Sequence, residues 1–169
     1  MSSRKGTVIH ADNLIAEVVS KAKEKINEER STYTEDQKDQ ISKQVAISAI
    51  KYGMLRYNSL SNITFDIENS ISFEGDTGPY IQYTHARACS ILTKYSAANP
   101  SVDTLSFSDT SVSLEAEEAV LVRTLHQYLD VLQSSAKNDS PNYLCEYLFN
   151  LAQKFNHFYT TMPIIGEKD

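Results

Sequence analysis

The chain has 169 residues, 41% of them hydrophobic and 22% charged, enough for one core-forming domain or a small domain with an appendage. Five Gly and four Pro are few for a turn-rich β protein and favour long helices. The net charge of −6 excludes a broad electropositive surface for nucleic acid, although RNA can still be held by stacking and shape.

The chain opens with "MSSRKG", a cationic, donor-rich cluster of the kind that holds phosphate. Residues 1–58 carry ten Lys/Arg against eight Asp/Glu, and residues 59–169 six against fourteen, so a polyanion should meet the first part or a local patch. Asp12 is expected to cap a first helix whose apolar stripe is Leu14, Ile15, Val18, Val19, Ala22 and Ile26. Thr34 and Gln37 stand at capping-box spacing and open a second helix to about Tyr57. Ile41, Val45, Ile47, Ile50 and Leu55 cover a wide face of it, which predicts burial on two sides.

Residues 62–76 read as irregular, with "ITFD" as a short extended piece. Gly75, Gly78 and Pro79 mark a turn, with Pro79 as first residue of a helix to about Ser96. Ile81, Thr84, Ala88, Ile91 and Tyr95 share one face of that helix. A Ser/Asp-rich linker at 97–113 follows. Leu114 to about Ser134 reads as one helix with Leu121, Leu125, Tyr128 and Leu132 inward. Ser140 as N-cap and Pro141 at the first position start the last helix, which carries Leu144, Tyr147, Leu148, Leu151, Phe155 and Phe158 or Tyr159 and stops near Pro163. Five long helices predict an all-α bundle.

No Ser/His/Asp or Cys/His arrangement can be assembled, and no Gly-rich phosphate loop is present. His10, His85, His126 and His157 are scattered and read as surface or hydrogen-bonded residues, with no metal site. Cys89 and Cys145 match no zinc or redox spacing and read as buried thiols. No apolar run is long enough to span a membrane, which makes the cytoplasm the expected location. Residues alone would make "SFEGDTGPYIQYTHARACSIL" a packing corner, yet Tyr80, Gln82, Tyr83, His85 and Arg87 give it more polar and aromatic detail than a bundle needs.

That block, with "MSSRKGT", "AIKYGMLRYN", "ITFD" and "YLFNLAQKFNHFYTTMPI", resembles the arginyl-tRNA synthetases of class I, from their Lys-Met-Ser-Lys-Ser loop into the helical anticodon-binding domain. The resemblance implies an ATP loop at Ser2, Ser3, Arg4 and Lys5, with the motif's second lysine falling at Ser3. Such a loop holds the negative charge of ATP phosphates as an amino-acid carboxylate attacks. It implies ATP as substrate, with Mg as phosphate counterion, and no tightly bound cofactor. It also implies arginine tRNA as partner, contacted by Tyr159, Asn156, His157, Lys154, Gln82, His85 and Arg87. Of these, Tyr159 is the stacking candidate. Residues 1–30 would link to a catalytic domain that is not in the chain, and 31–169 would be a C-terminally incomplete anticodon-binding domain. The expected function is therefore the tRNA-binding part of an arginine–tRNA ligase. Alone it is expected to be inactive, and either to dimerise through its uncovered face or to have a loosened C-terminal helix. The alternative is a free-standing, non-catalytic helical module that binds RNA or a protein.

Overall fold

The computed structural model describes residues 10–29, 32–98, 113–162 and 164. The expected ATP-loop residues Ser2, Ser3, Arg4 and Lys5 and most of the expected 97–113 linker lie outside them. The described residues are all-α, without a strand: α1 Ala11–Glu29, α2 Glu35–Leu55, α3 Ile67–Ser70, α4 Gly78–Ala98, α5 Ala116–His126, α6 Tyr128–Lys137 and α7 Asn142–Thr161. They fall into two compact units, Met1–Tyr80 and Ile81–Asp169. Within the first unit α1 packs along α2.

In the first unit, α1 buries Val18, Ala22 and Ile26 of its predicted stripe. Its hydrogen bonding begins at the His10 carbonyl, which bonds Leu14 N, so Asp12 lies in the first turn rather than at the cap. A carboxylate there still meets the positive end of the helix. The capping box of α2 forms as expected, Gln37 N donating to Thr34 Oγ1 and Thr34 N to Gln37 Oε1. The burial of α2 differs from expectation. Its inward row is Ser42, Val45, Ala46, Ala49 and Tyr52, whereas Ile47 and Leu55 are exposed. Small side chains at 42, 46 and 49 bring two backbones close, and the packing follows that row rather than the largest side chains. Lys23 of α1 meets Glu35 and Asp39 near the start of α2, which makes the pair antiparallel.

Ile71, only 2% exposed, packs into the α1–α2 core with Phe65 and Ile67 beside it. Residues 62–66 hold no strand, and Asp66 instead caps the one-turn α3 by accepting from Asn69 N. The turn that follows is pinned at Asp76. Tyr52 donates its hydroxyl to Asp76 Oδ1 (2.5 Å), and Arg56 donates to the Asp76 carbonyl (2.5 Å) and Oδ2 (3.3 Å). Gly75 supplies the φ of +78° that the turn needs. Thr77 Oγ1 accepts from Tyr80 N and so caps α4, which starts at Gly78 with Pro79 second. A Cβ at Gly78 would stand 2.5 Å from the Ser48 carbonyl oxygen, so only glycine lets α4 start this close to α2.

In the second unit the expected 114–134 helix is two. Thr124 turns its hydroxyl back onto the Val120 carbonyl (2.8 Å), Gln127 N bonds the Thr124 carbonyl (3.2 Å), and the chain restarts as α6. The inward positions are Thr124 and Ser135, with Leu121 and Val131 half-buried, while Leu125, Tyr128 and Leu132 are exposed. Asp139 follows α6 with φ 48°, Ser140 N bonding Ser135 O (2.9 Å) and Asp139 N bonding Ala136 O (3.4 Å). That is a Schellman ending with a non-glycine in the left-handed position. Helix α7 then starts at Asn142, one residue later than expected, and the Ser140 hydroxyl donates to Asn138 O instead of capping it. It buries Cys145, Tyr147 and Ala152. It ends at Thr161, where Met162 is extended (ψ 135°), the conformation favoured before a proline. Cys145 is buried as expected, but Cys89 is exposed on α4 beside His85.

Candidate nucleic-acid interface

Residues four apart on a helix share a face, so α4 presents Tyr83 and Arg87 together. The Arg87 guanidinium carbon lies 4.6 Å from the Tyr83 ring centroid and 4.4 Å from that of Tyr159 on α7. The cation is thus in contact with both aromatic rings, each of which remains partly in solvent at 40% (Tyr83) and 37% (Tyr159) exposure. Hydrogen bonds fix its plane. Arg87 donates through Nη1 to Asn156 Oδ1 (2.7 Å) and through Nη2 to the Tyr83 hydroxyl. Asn156 in turn donates through Nδ2 to Thr84 Oγ1 (2.8 Å), and Thr84 is buried. Phe155 packs beside Tyr159, with ring centroids 6.4 Å apart.

No carboxylate lies within ion-pair distance of Arg87 among the described residues. Its charge is held by π faces, an amide oxygen and a phenol, all neutral. Such an arrangement offers flat rings for stacking beside an uncompensated cation, the combination that unpaired bases and their phosphates require.

The seven residues expected at an RNA interface do not all meet here. Arg87, Asn156 and Tyr159 are brought together, with Asn156 bonded to Arg87 and Thr84. Lys154 and His157 lie on another flank of α7 and line a hollow shared with α5. Gln82 and His85 are exposed on α4, with His85 Nε2 at 3.5 Å from Cys89 Sγ. Tyr83, not among those seven, joins the cluster, and its spacing of four from Arg87 is the sequence signal that places it. No group of three or more His, Cys, Asp or Glu able to hold a metal occurs among the described residues. No helix among them is long and apolar enough to cross a membrane.

Residues 81–169, more than half of the chain and coincident with the second compact unit, match the family model of the DALR anticodon binding domain. The chain belongs to the DALR anticodon-binding domain family. The Tyr83–Arg87–Tyr159 cluster is built wholly within this DALR domain. Residues 1–67 match the model of the class I (R) tRNA synthetase catalytic domain. Among similar proteins is the arginine–tRNA ligase of Flavobacterium psychrophilum, 37% identical over 100% of this chain and 27% of its own length. That of Pyrococcus furiosus is 35% identical over 99% of this chain and 27% of its own length. The arginyl-tRNA synthetase of Thermus thermophilus superposes with a TM-score of 0.79 at 29% identity, covering 92% of this chain and 25% of that one. The Plasmodium falciparum enzyme does so with a TM-score of 0.73 at 30% identity, covering 90% and 27%. The chain therefore spans about 27% of the length of the curated relatives it matches, running from catalytic-domain sequence into the DALR domain.

Proposed function

We propose that this chain is the tRNA-binding part of an arginine–tRNA ligase, and that the whole protein joins arginine to its tRNA at the expense of ATP in the cytoplasm. The observation that carries the RNA-binding role is Arg87 held against two half-exposed tyrosine rings. In this reading an unpaired base of the anticodon loop stacks on Tyr159 or Tyr83, and Arg87 keeps the rings apart and contributes its charge. Asn156 and Thr84 hold Arg87 in plane. Gln82, His85, Lys154 and His157 contact the RNA around that point. Residues 1–30 carry the ATP loop, with Ser2, Ser3, Arg4 and Lys5 closing over Mg-bound phosphates, and lead from the catalytic domain. The helical domain follows, with its linker at 97–113.

A filter-binding titration against arginine tRNA and an unrelated tRNA tests the reading. Preference for arginine tRNA, reduced by Tyr159→Ala on the order of tenfold, is the expected result, since stacking one base is worth about 1–3 kcal/mol. Equal binding to both, insensitive to Tyr159, would sink it.

A further inference from the structure

The hollow between α5 and α7, about 360 Å³, is lined by Asn150, Gln153, Lys154 and His157 of α7 and by Glu117 and Val120 of α5. Lys154 is half-buried there, and its Nζ donates to Thr124 Oγ1 at 3.0 Å. Thr124 is 2% exposed, and its hydroxyl hydrogen goes to the Val120 carbonyl. So the ammonium is anchored by a neutral oxygen whose own proton is already directed elsewhere. No carboxylate lies within ion-pair distance of Lys154 among the described residues. An ammonium has three donors, and this one has two left together with its full charge. Partial burial without a counter-ion costs free energy that an arriving anion returns.

The remaining lining narrows the kind of anion. Asn150 and Gln153 add amide donors, His157 adds a ring N–H, and among the described residues no aromatic carbocycle lines the hollow on which a base could stack. Among the described residues, Glu117 is the one acidic group lining it, at the first turn of α5. We propose that this hollow takes a phosphodiester of the bound RNA strand, with Lys154 as the charge contact and His157 as a second, hydrogen-bonding contact. The inference rests on the RNA-binding reading above and adds to it a backbone contact separate from the Tyr83–Arg87–Tyr159 rings.

The test uses the full chain and an arginine-tRNA anticodon stem-loop, titrated over a range of salt concentrations. Lys154→Gln is expected to weaken binding several-fold and to lower the slope of log affinity against log salt by about 0.7–0.9, the value of one phosphate contact. Lys154→Arg should restore the slope, which separates a charge contact from a loss of fold. Tyr159→Ala should weaken binding with the slope unchanged. Glu117→Gln should tighten binding by removing like charge from the hollow. An unchanged salt slope in Lys154→Gln, with the parent chain binding normally, overturns this inference and leaves the stacking site standing. No binding by the parent chain overturns the RNA-binding reading and this inference with it.

Discussion

Arg87 shows why arginine and lysine differ at one position. Its planar group lies against two rings and directs separate N–H groups to Asn156 and Tyr83. A lysine keeps the charge but has no plane to stack and no fork to fill. Arg87→Lys is therefore expected to weaken tRNA binding by roughly tenfold, from loss of cation–π contact and ring alignment. Filter binding measures this, and a variant that binds as the parent does would show that charge alone matters. Lys23 is a second residue with a readable consequence. Its hydrogen bond with Asp39 lowers the Asp39 pKa and raises that of Lys23, with Glu35, lowered mainly by Lys38, completing the cluster. For the carboxylates, a lowered folded-state pKa means stability present above the unfolded value and lost as pH falls through the folded one. For Lys23 the raised pKa gives stability present below its unfolded value and lost as pH rises through the folded one. The melting temperature should thus decline on acidification below the ordinary carboxylate range, and Asp39→Asn should remove part of that decline. An identical acid profile in Asp39→Asn would show the pair to be idle, as exposed ion pairs can be.

At the scale of elements, the ends of helices hold the clearest strain. Asp139 occupies a left-handed position that costs a residue with a Cβ roughly 1–2 kcal/mol. Asp139→Gly should stabilise the chain by about 0.5–1 kcal/mol after the entropy of a freer unfolded chain is counted, seen as a raised melting temperature. A lowered one would mean that the Asp139 side chain makes a contact that offsets the strain. Helix starts were legible to within a residue or two, because a cap is local chemistry, but only the cap of α2 forms from the side chains expected, whereas Asp12 and Ser140 do not cap. Thr34 and Gln37 form their box as spaced. Faces were less legible. Periodicity marks apolar rows but not which row a neighbour covers, so Leu125, Tyr128 and Leu132 were placed inward and stand exposed, while Thr124 and Ser135 are buried. The break at Gln127 carries no Gly or Pro to announce it, and arises from the Thr124 hydroxyl and the packing around it. At the interface, Tyr159 and Arg87 could be singled out by resemblance. That Asn156 would be occupied by Arg87 and Thr84 depends on how α4 and α7 pack, which no local pattern contains.

For the whole molecule, charge sets the character of binding. A chain with net charge −6 and pI near 5.2 cannot gather RNA by long-range attraction. Few phosphate contacts release few counter-ions, so the slope of log affinity against log salt should be about −1 to −2, far from that of a basic RNA-binding protein. A slope steeper than about −4 would place most of the affinity on cations that the proposed sites do not include.

The two thiols offer a practical handle. Cys145 is buried within α7, and Cys89 is exposed two residues beyond Arg87 on α4. A thiol-selective dye should therefore attach to the native chain with a stoichiometry of about one, in keeping with the greater reactivity of accessible thiols. With no tryptophan in the chain, that dye would report from the helix that carries Arg87, on a face away from the rings, against a background of tyrosine emission alone. One conjugate, made without altering a single residue, would let RNA arrival at α4 be timed directly.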